Sequence, residues 1–153
     1  MGLDMYLIKR TYVGTKSKHR DVKAEIEITI NGKPVEIKRE RTLYIQEKVG
    51  YWRKANQIHN WFVHNCQDGV DDCREYLVPE KQLHELYDIC KRILTDYSLA
   101  EKLLPTQGGF FFGDTNYDAY YFDNIENTIE ILESLLSELE GDENAEILYY
   151  SSW

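Results

Sequence analysis

From Asp118 to Leu139 the apolar side chains Ala119, Phe122, Ile125, Ile129, Leu132, Leu136 and Leu139 recur at steps of three or four. That spacing stacks them along one face of an α-helix, the longest in the chain, and leaves an acidic outer face. Such a stripe is stable only when laid on another apolar surface. Strands are the other main signal. Ala24, Ile26, Ile28 and Ile30 alternate with Glu25, Glu27 and Thr29, and after Asn31-Gly32 Val35 and Ile37 alternate with Glu36 and Lys38. Asn-Gly favours the positive φ angles of a type I′ turn, which predicts a hairpin with Ile28 opposite Val35, Ile26 opposite Ile37 and Glu27 opposite Glu36. Pro34, opposite Thr29, cannot donate to a ladder, so its strand belongs at a sheet edge. The hairpin has one apolar and one charged face and is expected to cover something.

The remaining elements fall between these two. Leu3 to Ile8 and Leu43 to Ile45 read as strands, as does Ile147 to Tyr150 before Trp153. Gly50 marks a break, and a helix is expected from near Trp52, with Ala55, Ile58, Phe62 and Cys66 on one stripe and Trp52, Asn56, His59 and Val63 beside it. A further helix follows Pro79, with Leu83, Leu86, Cys90 and Ile93 on its core face. Val13 to Lys23 is a basic loop, Asp71-Asp72 a solvated turn pair, and Pro105 to Asn116 a short strand or ordered loop around Phe110 to Phe112. The expected fold is a single α+β domain over 1–153: a largely antiparallel sheet with about three helices packed on it, plus a protruding basic β-hairpin inserted at 15–41.

Charge is divided unevenly. The net charge is −9, but residues 1–54 carry 13 basic and 7 acidic side chains, and residues 55–153 carry 5 and 20. The halves can neutralise one another across a shared surface or between subunits, and with the one-sided hairpin this predicts a homo-oligomer. So acidic a chain repels phosphate over most of its surface, which argues against general nucleic-acid binding. No apolar run reaches the roughly 20 residues of a membrane span, and the first residues lack the basic-then-apolar order of a secretory signal, so a cytoplasmic protein is expected. Cys66, Cys73 and Cys90 form no C-x-x-C pair, and the four histidines form no H-x-x-x-H, so neither a disulfide framework nor a metal site is expected.

Motifs for nucleophiles and phosphate loops are absent: there is no G-x-S-x-G, and the glycines at 108, 109 and 113 make neither G-x-G-x-x-G nor a Walker loop. His59 could serve as a base with Asp118 or Asp123, although an imidazole beside core positions is more often structural. The conspicuous feature is aromatic: of 12 Tyr, 3 Trp and 5 Phe, 14 are concentrated at Tyr51-Trp52, Trp61-Phe62, Phe110 to Phe112, Tyr117 to Phe122 and Tyr149 to Trp153, each cluster beside polar groups. Flat rings with amide, hydroxyl and guanidinium donors nearby suit a pocket for a planar polar ligand, the alternative being core and interface packing. The candidate ligand-binding residues are Trp52, Phe112 and Tyr117 for stacking, Arg53 for a phosphate or carboxylate, Asn56 and His59 for base or ribose edges, and Asp118 and Ser152 beside them. No cofactor is expected.

The words MGLDMYL at the start, GYWRKANQIHNWF (Gly50 to Phe62), LLPTQGGFFFG (Leu103 to Gly113) followed by Tyr117-Asp118, and YYSSW (Tyr149 to Trp153) resemble a family of small bacteriophage and prophage proteins that begin MGLDMYL. The resemblance covers nearly the whole chain except about 15–41. It implies expression in the cytoplasm of an infected bacterium and brings no established activity. Two functions then compete: capture of a small nucleotide-like ligand, such as a host immune signal, in a counter-defence role, or inhibition of a host macromolecule through the acidic 103–153 surface. A third, weaker reading is an enzyme acting on such a nucleotide through His59 and Asp118.

Overall fold

A computed structural model describes residues 1–15 and 23–153; the middle of the expected basic loop, 16–22, lies outside the described residues. Strands β1 (Asp4–Tyr12), β4 (Tyr44–Arg53), β5 (Tyr76–Leu77) and β6 (Ala145–Ser152) form one antiparallel sheet in the order β4-β1-β6-β5. Strands β2 (Ile28–Ile30) and β3 (Lys33–Val35) make a separate two-stranded sheet. Four α-helices complete the described residues: α1 (Asn56–Cys66), α2 (Glu80–Thr95), the single turn α3 (Ala100–Leu103) and α4 (Ala119–Leu139). The architecture is α+β, with helices packed on the sheet.

The hairpin forms around the turn its sequence demands. Asn31 and Gly32 take φ of 51° and 75°, and Ile28 faces Val35 with Thr29 opposite Pro34. The ladder ends at Ile28, so the expected pairs of Ile26 with Ile37 and Glu27 with Glu36 lie beyond it. Its apolar residues are not covered: Ile28 and Ile30 remain 46% and 60% exposed.

Two expectations around Gly50 fail for one reason. Strand β4 runs through Gly50 to Arg53, with a bulge where the register slips between Leu7 and Ile8, and helix α1 starts only at Asn56. Gly50 is a point of close approach: a Cβ there would sit 2.9 Å from Ile131 Cγ2 on α4 and 3.2 Å from Leu7 Cβ. Trp52 thus stays in the strand opposite Met5 and points into the core. The chain then turns at Lys54, whose φ is 54° and whose N–H bonds to Leu3 O at 2.7 Å.

Helix α2 buries Leu83, Leu86, Cys90 and Ile93 completely. Helix α4 is rotated from its expected face. It packs against both β4 and α2, and its buried line runs Tyr121, Asn124, Ile125, Thr128, Leu132, Leu135, Leu139. The polar members are satisfied: Thr128 Oγ1 donates to Asn124 O at 2.6 Å and accepts the Trp52 Nε1–H at 2.9 Å. Asp118 caps the helix, its Oδ1 accepting the Tyr121 N–H. Pairs between the basic and acidic halves, Lys9 with Glu138 at 3.3 Å and Arg10 with Glu146 at 2.8 Å, tie the sheet to the far end of the chain. No helix among the described residues is long and apolar enough to cross a membrane.

Candidate functional site

The segment 105–114, which is a loop and not a strand, wraps over the start of α1. Asn56, 2% exposed, holds it with all three of its polar bonds: Nδ2 donates to Phe112 O (3.0 Å) and Asp114 O (2.8 Å), and Oδ1 accepts the Gln107 N–H (2.9 Å). The Phe111 carbonyl accepts the Leu3 N–H at 3.0 Å, which fastens the same loop to the sheet. Gly109 is needed where the loop doubles back, since a Cβ there would meet Phe112 Cγ at 2.8 Å.

Between this loop, α1 and the turn 67–72 lies a cleft of about 320 Å³, lined by His59, Asn60, Val63, His64, Gly69, Asp71, Gln107 and Phe112. A second recess of about 260 Å³, lined in part by Gln57, Trp61 and Leu104, shares Asn60 and His64 with it. Asp71 is the one formally charged side chain among the residues lining the cleft, and neither recess has a Lys or Arg in its lining.

His59 forms the floor at 1% exposure. Its Nε2 lies 2.9 Å from Asp71 Oδ2 and its Nδ1 lies 2.7 Å from the Tyr149 hydroxyl. A carboxylate only accepts, so Nε2 carries the proton and Nδ1 accepts from Tyr149. Tyr149 stacks on Phe62 at 4.0 Å, and complete burial holds its phenol well above the ordinary value, so it remains the donor. Asp71 Oδ1 also accepts the Trp153 Nε1–H at 3.1 Å. Phe112 stands edge-on to both rings, 5.2 Å from His59 and 6.0 Å from Trp153. His64 Nδ1 bonds to Asn60 O at 2.8 Å, and since a carbonyl only accepts, Nδ1 carries a proton.

Burial lowers the His59 pKa below its ordinary 6.5, against the raising effect of Asp71. Acid titration of the unfolded chain then binds a proton the native state refuses, so stability from this group is complete above 6.5 and falls as the pH drops toward the folded value. The expected slope is up to about 1.4 kcal/mol per pH unit across that window. Urea unfolding at a series of pH values checks it, and His59→Gln should flatten this part of the profile. Burial also pushes the Cys66 and Cys90 thiols up to about 12, which keeps both protonated at neutral pH.

Of the eight residues singled out in the sequence, His59 and Phe112 line the cleft and Asn56 builds its wall. The other five do not join them. Trp52 is sealed in the core at 1% exposure and cannot stack on a ligand. Arg53 points to the outer face of the sheet, where Nη1 bonds to both Asp4 oxygens at 3.0 and 3.2 Å. Tyr117 packs against Tyr121 and its hydroxyl accepts the Thr106 N–H. Asp118 serves as the helix cap and borders, with Asn56, a crevice of about 10 Å³ that holds no more than a water. Ser152 is exposed opposite Asp4 in the ladder. Asp71, expected as a solvated loop residue, is the partner of His59 in place of Asp118 or Asp123, and Asp72 accepts from the Tyr76 hydroxyl at 2.9 Å. Asp71 and Tyr149 carry no spacing signal, being 12 and 90 residues from His59. Among the described residues no group of three or more His, Cys, Asp or Glu is placed to hold a metal. No family model, curated protein or solved structure matches this chain.

Proposed function

We propose that this protein binds a small nucleotide-like molecule through its base or nucleoside end, in the cleft over His59 and Asp71, and sequesters it without transforming it. The observation that carries the reading is the commitment of both His59 nitrogens, one to Asp71 and the other to the buried Tyr149. An imidazole held on both sides is a poor general base for a ligand, whereas it fixes the Asp71 carboxylate as a rigid acceptor. Amides and imidazoles with one aromatic wall suit a planar polar ring. A lining without Lys or Arg leaves a phosphate outside, toward solvent. With the family resemblance, capture of a nucleotide signal inside an infected bacterium is the role this site would serve.

A panel of nucleosides and nucleotides, titrated while the imidazole resonances of His59 and His64 are followed, tests this reading. The expected result is a saturable shift at both rings with at least one ligand, which chromatography then recovers unchanged. A panel that moves neither resonance overturns capture at this cleft, and recovery of a converted product overturns sequestration.

A further inference from the structure

We infer that Asp71 and Phe112 form a guanine seat, and that the indole of Trp153 rests on this seat until a guanine base displaces it. The inference rests on the capture reading and adds its selectivity. Trp153 lies one residue beyond β6, and its ring is a flat bicycle whose N–H donates to Asp71 Oδ1 at 3.1 Å while it stands against Phe112 at 6.0 Å and 73°. The corner therefore already accepts a planar two-ring group with an N–H donor. The side chain is 45% exposed, and leaving the corner costs it one N–H bond to Asp71 and its edge contact with Phe112.

The carboxylate decides which base could replace it. Asp71 Oδ2 is fixed by the His59 Nε2–H at 2.9 Å, and His59 in turn by the Tyr149 hydroxyl at 2.7 Å. An ionised carboxylate offers about four acceptor positions and no donor. It favours a ligand edge carrying two adjacent N–H groups and opposes one carrying a carbonyl or a bare ring nitrogen. Guanine presents such a pair, N1–H and N2–H. Adenine and cytosine place an acceptor nitrogen beside the amino group, and uracil places N3–H between two carbonyls. Displacement by guanine thus exchanges one N–H bond to Asp71 for two. The cleft volume, about 320 Å³, is at the small end of ligand sites and suits a base with its sugar more than a whole dinucleotide. Gln107, Asn60 and His64 also line the cleft and offer polar groups to the remaining atoms of the base.

Guanosine and adenosine, titrated calorimetrically and by tryptophan emission, provide the test. A bidentate contact discriminates by about 1–3 kcal/mol, so guanosine should bind roughly 10- to 100-fold tighter than adenosine. Trp61 lines the neighbouring recess, so the source of the emission change is assigned by Trp153→Phe, in which it should vanish; that variant also lacks the competing N–H and should bind guanosine several-fold tighter. Asp71→Asn keeps an acceptor for His59 but loses the second one, and should weaken guanosine by roughly 10-fold or more while circular dichroism is unchanged. Adenosine binding as tightly as guanosine, or guanosine binding unaffected by Asp71→Asn, overturns the guanine seat and leaves capture standing. Failure of every nucleoside and nucleotide in the panel removes capture itself.

Discussion

Trp52→Ala is expected to lower the unfolding free energy by about 3–5 kcal/mol, because Trp52 is the largest fully buried side chain among the described residues. The indole is 1% exposed, lies in β4 opposite Met5, and contacts Phe62 at a centroid distance of 6.1 Å. Its ring fills the space that Gly50 leaves where β4 approaches α4, since a Cβ on Gly50 would come within 3.3 Å of Trp52 Cη2. Little can collapse into the vacated volume, because the strand is held by its ladder and the helix by α2. Trp52→Phe keeps most of the packing and gives up the N–H to Thr128. The Thr128 hydroxyl still donates to Asn124 O, so no buried donor is orphaned, and a cost of about 1–2 kcal/mol is expected. Urea midpoints with unchanged slopes would report both values. A Trp52→Ala protein that unfolds at the original midpoint but no longer binds ligand would return the indole to a ligand surface and overturn its placement in the core.

The same residue shows what the sequence could and could not reveal. Local chemistry was readable wherever one turn or one helical stripe decides the outcome. Asn31-Gly32 sets the register of β2 and β3, and Leu83, Leu86, Cys90 and Ile93 define the buried face of α2. Positions decided by distant partners were not readable. Gly50 reads as a break because glycine usually marks one, yet here it admits Ile131 from a helix 81 residues later. Helix α4 turns toward Thr128 and Asn124 because a second surface, α2, competes for its stripe with the sheet. Around the cleft, the aromatic and polar words bring His59 and Phe112 to one lining, with Asn56 bonded to the loop that carries Phe112. Arg53 did not belong with them: ladder pairing places Asp4 directly across from it on the outer face of the sheet, and that carboxylate takes its guanidinium. Asp71 carries no such signal: a loop aspartate beside another aspartate is ordinarily solvated, and only the return of residues 67–72 over α1 brings it to His59.

Asn56→Ala is expected to cost about 2–3 kcal/mol and to weaken any ligand that occupies the cleft, two effects with a common origin. The side chain bonds Phe112 O, Asp114 O and the Gln107 N–H, three backbone groups in one loop. Truncation leaves all three without their partner, at a penalty of about 1–3 kcal/mol for each group that stays buried, which water entering a loosened loop would partly offset. Phe112 and Gln107 line the cleft on that loop, so its loosening blurs the aromatic wall that a planar ring would meet. Asn56→Asp separates size from hydrogen bonding. Aspartate matches the shape and can still accept from Gln107, but it turns an oxygen toward the Phe112 and Asp114 carbonyls where an amide donated. It should therefore fare no better than alanine, and faster amide exchange at Gln107 and Phe112 should accompany the loss of stability in both variants. Retention of slow exchange in Asn56→Asp would mean that shape alone holds the loop, and the three bonds would then be a consequence of its fold and not the cause.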